Sequence, residues 1–445
     1  MHSLLARTLA VTVLVNAPFW VLGAWMFINR AFVNVEAVLA AGVVALNAWV
    51  GVPLLVFVWM IDAGVGQTLT YHFATPLDFL DAGRFAGELQ WREYFDWRAL
   101  VVIGLFAVCA VGIVKVVGRR PRVFVACLAW AVLLSLLDTI NGSALFSLRE
   151  NRVTPVNLAG SPTLNLAMAI AFRQTSTGTL QHVSERESLR GLVDVPAWAM
   201  EHPGGTILFV VVESLGAPVD ADLQQWLDDH MRVMGYDTST ARLPFNGATT
   251  RGEMRSLCGL AGHYALLTRD EGATCLPAQL AALGWQSAGF HGFSQNMFDR
   301  KTWWPNLGLS EMHFIDAEDL FQRPRCGGTF AGTCDAEVIR AALEWVQPGN
   351  RLGYVLTLNT HLPMTRVDVP EDLREHCGRV ALTDEACNSV AALGRVLGEI
   401  ATQVATARPA PLVLVSGDHS PPFSQTINRS AFRQDVVPAY VMRPQ

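Results

Sequence analysis

The sequence predicts two parts of different class. The first is an N-terminal transmembrane helical bundle. The second is an α/β domain with a mostly parallel sheet sandwiched by helices. Three observations predict this. Long apolar segments crowd the first third of the chain. Beyond Gly205, short apolar runs alternate with amphipathic stretches, the pattern of βαβ units. Metal-ligating side chains follow several of those runs, at the edge where open α/β sheets bind ligands.

The chain has 445 residues, of which 51 % are hydrophobic and 16 % charged, too apolar for an ordinary soluble enzyme. Leu4–Ile28, Val35–Ile61, Ala99–Val117 and Val123–Ile140 are each long enough for a hydrocarbon core of about 30 Å. Residues 67–90 mix aromatic and acidic residues with apolar ones and read as interfacial or re-entrant, which gives four or five helices. Lys115, Arg119, Arg120 and Arg122 crowd the link between the last two spans, which places that link in the cytoplasm. The next span then exits outward, and everything beyond about residue 142 lies outside. The expected organisation is a helical domain over 1–141, a juxtamembrane connector over 142–204 and an outer domain over 205–445. Within the connector, Pro162–Phe172 is apolar but too short to span. It reads equally as a membrane-surface helix or a packing helix. The net charge of −6 argues against nucleic acid as a partner.

In the outer domain, Thr206–Val212, Trp285–Phe290, Leu352–Leu358, Pro411–Val415 and Val436–Met442 read as strands, with helices over Asp335–Val346 and Ala386–Thr406. Two of the eight cysteines, Cys109 and Cys127, fall within spans. The other six lie in the outer domain. Sequence proximity favours the pairs Cys258–Cys275, Cys326–Cys334 and Cys377–Cys387 in an oxidising compartment. Metal binding is the rival use, and it lacks a CxxC spacing.

Four polar clusters follow four of the strands: Glu213-Ser214, His291-Gly292, Thr360-His361 and Asp418-His419. Glu213, Asp418 and His419 make a hard oxygen and nitrogen set suited to zinc or manganese. Asn246–Glu253 is small, hydroxyl-bearing and glycine-flanked, ahead of a helix expected from Met254. Thr249 there is either a helix cap or a nucleophile favoured by the positive end of the helix. Glu253 reads as a stabiliser of the helix's first turn. Trp303-Trp304 reads as a packing or membrane-interface pair, and His263 and His313 as ordinary surface or packing histidines.

In this order the motifs resemble the membrane-anchored lipoteichoic acid synthase and phosphoglycerol transferase group of the alkaline phosphatase/sulfatase superfamily. The resemblance covers roughly residues 205–445. It rests on Glu213, Gly247-Ala248-Thr249-Thr250 with Glu253, Phe290-His291-Gly292 with Arg300 nine residues beyond His291, Asn359-Thr360-His361-Leu362-Pro363, and Gly417-Asp418-His419. It implies one divalent ion, zinc or manganese, held by Glu213, Thr249, Asp418 and His419. It also implies Thr249 as nucleophile and His291, Arg300 and His361 as substrate-binding residues. Phe293 stands where that group often has an acidic residue, and Phe298 where it has tryptophan, which bears on the transferred head group.

The expected activity is transfer of a phosphoglycerol-type head group from an anionic membrane phospholipid to a glycan or glycerol-phosphate acceptor. The expected setting is the outer (periplasmic) face of a bacterial inner membrane. A phosphoethanolamine transferase of the same superfamily is the alternative, though its metal pair usually stands in Ser-Asp-His-Gly and here reads Gly417-Asp418-His419-Ser420. A non-catalytic membrane assembly or binding module is the alternative of another class. Sulfatase chemistry is disfavoured because Cys275-Leu276-Pro277-Ala278-Gln279 lacks the arginine of a formylglycine motif.

Overall fold

The computed structural model describes residues 2–26, 30–70, 83–88, 97–140, 158–164, 166–167, 179–316, 320, 322–328 and 330–445. The chain forms two compact units. One is Met1–Arg84 with Trp91–Thr177, the other Phe85–Gln90 with Gly178–Gln445.

The first unit is helical: α1 (His2–Met26), α2 (Val35–Leu46), α3 (Ala48–Thr70), α4 (Trp97–Val117) and α5 (Pro121–Ile140). Among the described residues, four helices are long and apolar enough to cross a membrane, over Ser3–Gly23, Ala48–Gly66, Leu100–Val117 and Pro121–Asp138. The second expected span is corrected. Val35–Ile61 is broken at Asn47, whose extended backbone (φ −150°, ψ 109°) ends α2, so α2 is short and α3 carries the span. Inside the bundle Arg30 pairs with Asp62, Nη2 to Oδ2 at 2.7 Å, and Asn34 Nδ2 donates to the same oxygen at 2.9 Å. Partnering of this kind is what makes a charge tolerable among apolar helices. Of the segment expected over 67–90, residues 71–82 and 89–90 lie outside the described residues. So do residues 165 and 168–172 of the helix expected over Pro162–Phe172.

The second unit is built on a seven-stranded sheet of β1 (Thr206–Val212), β2 (Tyr236–Pro244), β3 (Gln286–His291), β4 (Glu311–His313), β5 (Arg351–Leu356), β6 (Leu412–Gly417) and β7 (Val436–Pro444). The strand order is β2-β7-β6-β1-β5-β3-β4. The five strands from β6 to β4 are parallel, and β7 runs antiparallel to both β6 and β2. Every residue of the central β1 is buried, as a strand covered on both faces requires. Its alternate side chains feed two cores. Leu208, Val210 and Val212 face one core, with Val338 and Ile339 of α6 (Asp335–Val346) and Leu393 and Leu397 of α7 (Asp384–Thr406). Ile207, Phe209 and Val211 face the other, with Met254 and Leu257 of the helix Thr249–Cys258. The result is a helix–sheet–helix sandwich.

Two strands escaped the sequence pattern. Both β2 and β4 are edge strands with few buried residues, so neither carries an apolar run. The six cysteines of this unit form the three expected pairs, Cys258–Cys275, Cys326–Cys334 and Cys377–Cys387. Because Cys275 is bonded to Cys258, it cannot serve as the reactive cysteine of a formylglycine motif. A small separate apolar cluster gathers Phe85, Phe293, Met297 and Leu358.

Candidate active site

Register brings the site together. Gly417 of β6 pairs with Val212 of β1, and Leu356 of β5 pairs with both Val211 and His291 of β3. The carboxyl ends of these parallel strands are therefore level, and Glu213, His291 and Asp418 fall on one sheet edge.

Glu213, Asp418 and His419 are all buried, and one ligand atom from each lies within 4.8 Å of the others. His419 Nε2 is 3.5 Å from Glu213 Oε1 and 3.3 Å from Asp418 Oδ2. Asp418 Oδ1 accepts two backbone N–H groups, from Ser214 at 2.7 Å and His419 at 2.6 Å. Its Oδ2 is buried without a hydrogen-bond donor. A carboxylate so held has one oxygen fixed by the main chain and the other open to a cation. His419 Nδ1 meets the Ser420 carbonyl at 2.9 Å. A carbonyl can only accept, so Nδ1 carries the proton and Nε2 offers its lone pair to the cluster.

Charge balance in the cluster agrees. Burial, then the neighbouring Glu213 carboxylate, push Asp418 well above the usual carboxylate range. Glu213 is held low: burial opposes its charge, but His361, His419 and hydrogen bonds from Asp418 and Ser214 outweigh it. Burial pulls His419 below the ordinary imidazole value, against the Glu213 carboxylate and the Ser420 carbonyl. Two buried carboxyls, an imidazole and a hydroxyl are donors of the type that can hold a divalent cation.

The hydroxyl is that of Thr249. Its helix begins earlier than the sequence suggested, over Thr249–Cys258 rather than from Met254. Ala248 takes the cap position and Thr249 is the first helical residue, so Thr249 is not the cap. Its Oγ1 lies 3.2 Å from Glu213 Oε2 and 3.3 Å from His419 Nε2. Gly252, one turn on, allows this approach. A Cβ there would stand 2.8 Å from the Asp418 carbonyl oxygen and 2.9 Å from its Cα.

The supporting contacts are not apparent in the sequence, although Ser214 and Thr360 stand in its polar clusters; Thr357 and Arg255 carry no sequence signal. Ser214 adopts a positive φ of 57° and donates its hydroxyl to Glu213 Oε1 at 2.9 Å. A non-glycine residue in that region is strained. Thr357 Oγ1 accepts from the Glu213 N–H at 2.9 Å, and Thr360 Oγ1 donates to the Glu213 carbonyl at 2.5 Å. Arg255 is fully buried and donates to the Gly417 carbonyl at 2.9 Å. Burial lowers it to about 10.

Two further histidines border the cluster. His291 Nδ1 donates to the Leu356 carbonyl at 2.9 Å, and His361 Nδ1 to the Leu362 carbonyl at 2.6 Å. Both rings therefore keep Nε2 for another partner. Burial and the Arg300 charge lower His291 to about 3. Arg300 is held by a carboxylate of its own unit. Its Nε and Nη2 donate to Glu253 Oε1 at 3.2 and 3.0 Å, and it is buried.

The first-turn reading of Glu253 is corrected. It sits past the first turn of its helix, and its other oxygen accepts from Trp304 Nε1 at 3.0 Å and the Tyr354 hydroxyl at 3.1 Å. Trp303 and Trp304 are buried packing residues. His263 Nδ1 accepts from the Ala265 N–H at 3.2 Å, and His313 stacks on Phe290 with ring centroids 4.4 Å apart.

Among the described residues, one other cluster has metal-ligand composition: Asp220, Asp222 and His376. Its groups are engaged with one another. Arg379 donates to His376 Nδ1, which leaves the proton on Nε2, 2.9 Å from Asp220 Oδ1.

No protein-family model and no curated protein matches the sequence. Solved structures similar to the chain include the lipoteichoic acid synthase LtaP from Listeria monocytogenes, at 15 % identity and a TM-score of 0.37, covering 54 % of this chain and 65 % of that one. The chain thus spans less than two thirds of that relative's length. The Streptococcus pyogenes phosphoglycerol transferase GacH, in complex with sn-glycerol-1-phosphate, is similar at 15 % identity and a TM-score of 0.37, with 54 % and 68 % covered. The integral membrane lipooligosaccharide phosphoethanolamine transferase EptA from Neisseria meningitidis is similar at 13 % identity and a TM-score of 0.49. That match covers 90 % of this chain and 78 % of that one.

Proposed function

We propose that the protein is a metal-dependent phosphotransferase on the outer face of a bacterial inner membrane. It moves a phosphoglycerol-type head group from an anionic phospholipid to a glycan or glycerol-phosphate acceptor. The observation that carries this reading is the convergence of a helix-N-terminal hydroxyl, Thr249, on the buried Glu213–Asp418–His419 set. Asp418 Oδ2, His419 Nε2, a Glu213 oxygen and Thr249 Oγ1 fit one divalent ion, zinc or manganese. When bound, such an ion lowers the pKa of the hydroxyl and offsets charge on the phosphate.

The residues themselves supply the rest. Thr249 Oγ1 forms a bond to phosphorus as its proton leaves along the contact to Glu213 Oε2, and the bond from phosphorus to the diacylglycerol oxygen breaks. His361 gives that oxygen a proton. In the second half, His361 takes a proton from the acceptor hydroxyl as that oxygen attacks phosphorus, the bond from phosphorus to Oγ1 breaks, and Thr249 recovers its proton from Glu213. His291, neutral throughout, offers its Nε2 to the substrate. Arg300 acts at a distance through its charge, since its fork is engaged by Glu253.

The test uses the full chain in nanodiscs containing labelled phosphatidylglycerol, with zinc or manganese added. Metal-dependent release of diacylglycerol supports the reading. Release from phosphatidylethanolamine alone would point to the phosphoethanolamine alternative. Stoichiometric lipid binding without turnover would favour a binding module.

A further inference from the structure

We propose that Asp335 is a positioning residue that aims His361, acting through the loop Thr357–His361. This rests on the phosphotransfer reading above. Asp335 opens α6, yet its carboxylate does not serve that helix. Oδ1 accepts the Leu358 N–H and Oδ2 the Asn359 N–H, each at 2.8 Å, and Asn359 Oδ1 accepts the Asp335 N–H at 2.8 Å. Three hydrogen bonds thus clasp the start of α6 to the loop after β5. That loop carries Thr360, which holds the Glu213 carbonyl, and then His361. Asp335 is 4 % exposed, so water does not compete for these bonds.

A second contact reaches His361 from the same stretch of chain. Arg325–Cys326 and Gly332–Thr333 form a hairpin closed by the Cys326–Cys334 disulfide, and Thr333 N–H donates to the Gly292 carbonyl at 2.8 Å. Phe330, within this hairpin, lies against the His361 ring with centroids 4.1 Å apart. His361 is therefore set from two sides, by the clasp along its own loop and by an aromatic face. An amide in place of Asp335 has one acceptor oxygen and would turn an N–H₂ toward one of the two loop N–H groups. Asp335→Asn should loosen the loop while leaving Glu213, Asp418 and His419 in place.

The test has two readouts in the full chain. The first is the rate at which diethylpyrocarbonate modifies His361, mapped by mass spectrometry with His419 as internal reference. Asp335→Asn and Phe330→Ala should each raise it several-fold, and Phe330→Tyr should restore it. The second is a double-mutant cycle. Asp335→Asn should lower kcat by about ten- to hundredfold with metal content unchanged, and should have no further effect in a His361→Ala background. Unchanged His361 reactivity in Asp335→Asn overturns the proposal, as does full additivity in the cycle. Raised reactivity in a chain with no transferase activity leaves the clasp standing and removes the phosphotransfer reading instead.

Discussion

Glu253 and Arg300 close a fully buried ion pair, Nη2 to Oε1 at 3.0 Å, behind the sheet edge that carries the candidate site. The carboxylate is saturated: Arg300 takes one oxygen twice, while Trp304 and Tyr354 share the other. Removing one partner strands the opposite charge in the interior. Glu253→Ala should therefore destabilise the second unit by roughly 3–5 kcal/mol, visible as a large drop in its thermal midpoint. Replacing both partners with apolar residues of similar size should recover much of the loss. Equal destabilisation by the single and double variants would show that the charges are not coupled.

Metal binding gives the second expectation. The purified chain should hold about one zinc or manganese ion, and chelation should abolish transfer until either ion is returned. Asp418→Asn should cut the bound metal severalfold, because Oδ2 is the oxygen left open by the backbone bonds to Oδ1. Full metal content in both Asp418→Asn and Glu213→Gln would place the ion elsewhere.

Thr249 and Thr250 should behave differently although they are adjacent. Thr249→Ala should reduce turnover by orders of magnitude with the fold intact. Thr250→Ala should cost about tenfold or less, as Thr249 is the one whose hydroxyl meets Glu213 and His419. In the absence of acceptor, mass spectrometry should find the head-group adduct on Thr249. An adduct on Thr250 would reverse the assignment.

His291 should make the second unit acid-labile. Its folded value, about 3, lies below the ordinary 6.5 because burial and Arg300 disfavour the imidazolium. The unfolded chain thus binds the proton first. The stability this group contributes is complete above about pH 6.5 and is lost as pH falls toward about 3, a few kcal/mol over the whole range. His291→Asn should narrow the difference in thermal midpoint between about pH 7.5 and 5. If the two proteins lose the same number of degrees, His291 is not the group responsible.

Sequence legibility followed burial. Strands covered on both faces, such as Thr206–Val212, announce themselves as apolar runs, whereas the edge strands Tyr236–Pro244 and Glu311–His313 have no such run. Glu213, Asp418 and His419 stand out in the sequence because they follow strands, and Thr249 because it precedes a helix; the sheet register levels the first three, and the helix start brings the threonine to them. What could not be read was the partnership of side chains far apart in sequence. Glu253 looked like a first-turn acid because Arg300, Trp304 and Tyr354 reach it from other elements. Asp335 looked like an ordinary helix start for the same reason, its partners lying on the loop after β5. Asn47 was hidden inside an apolar stretch, where one polar residue among many apolar ones does not register as a break.

Gly252 sets a limit on how this centre can change. The threonine helix rests against the turn that bears Asp418 with no room for even a methyl group, so their separation is a hard stop of main chain on main chain. Side chains can be exchanged to adjust a distance that side chains hold, but this one has no such adjustment. The middle works as a fixed gauge, and a lineage that lost Gly252 would lose the spacing itself rather than retune it.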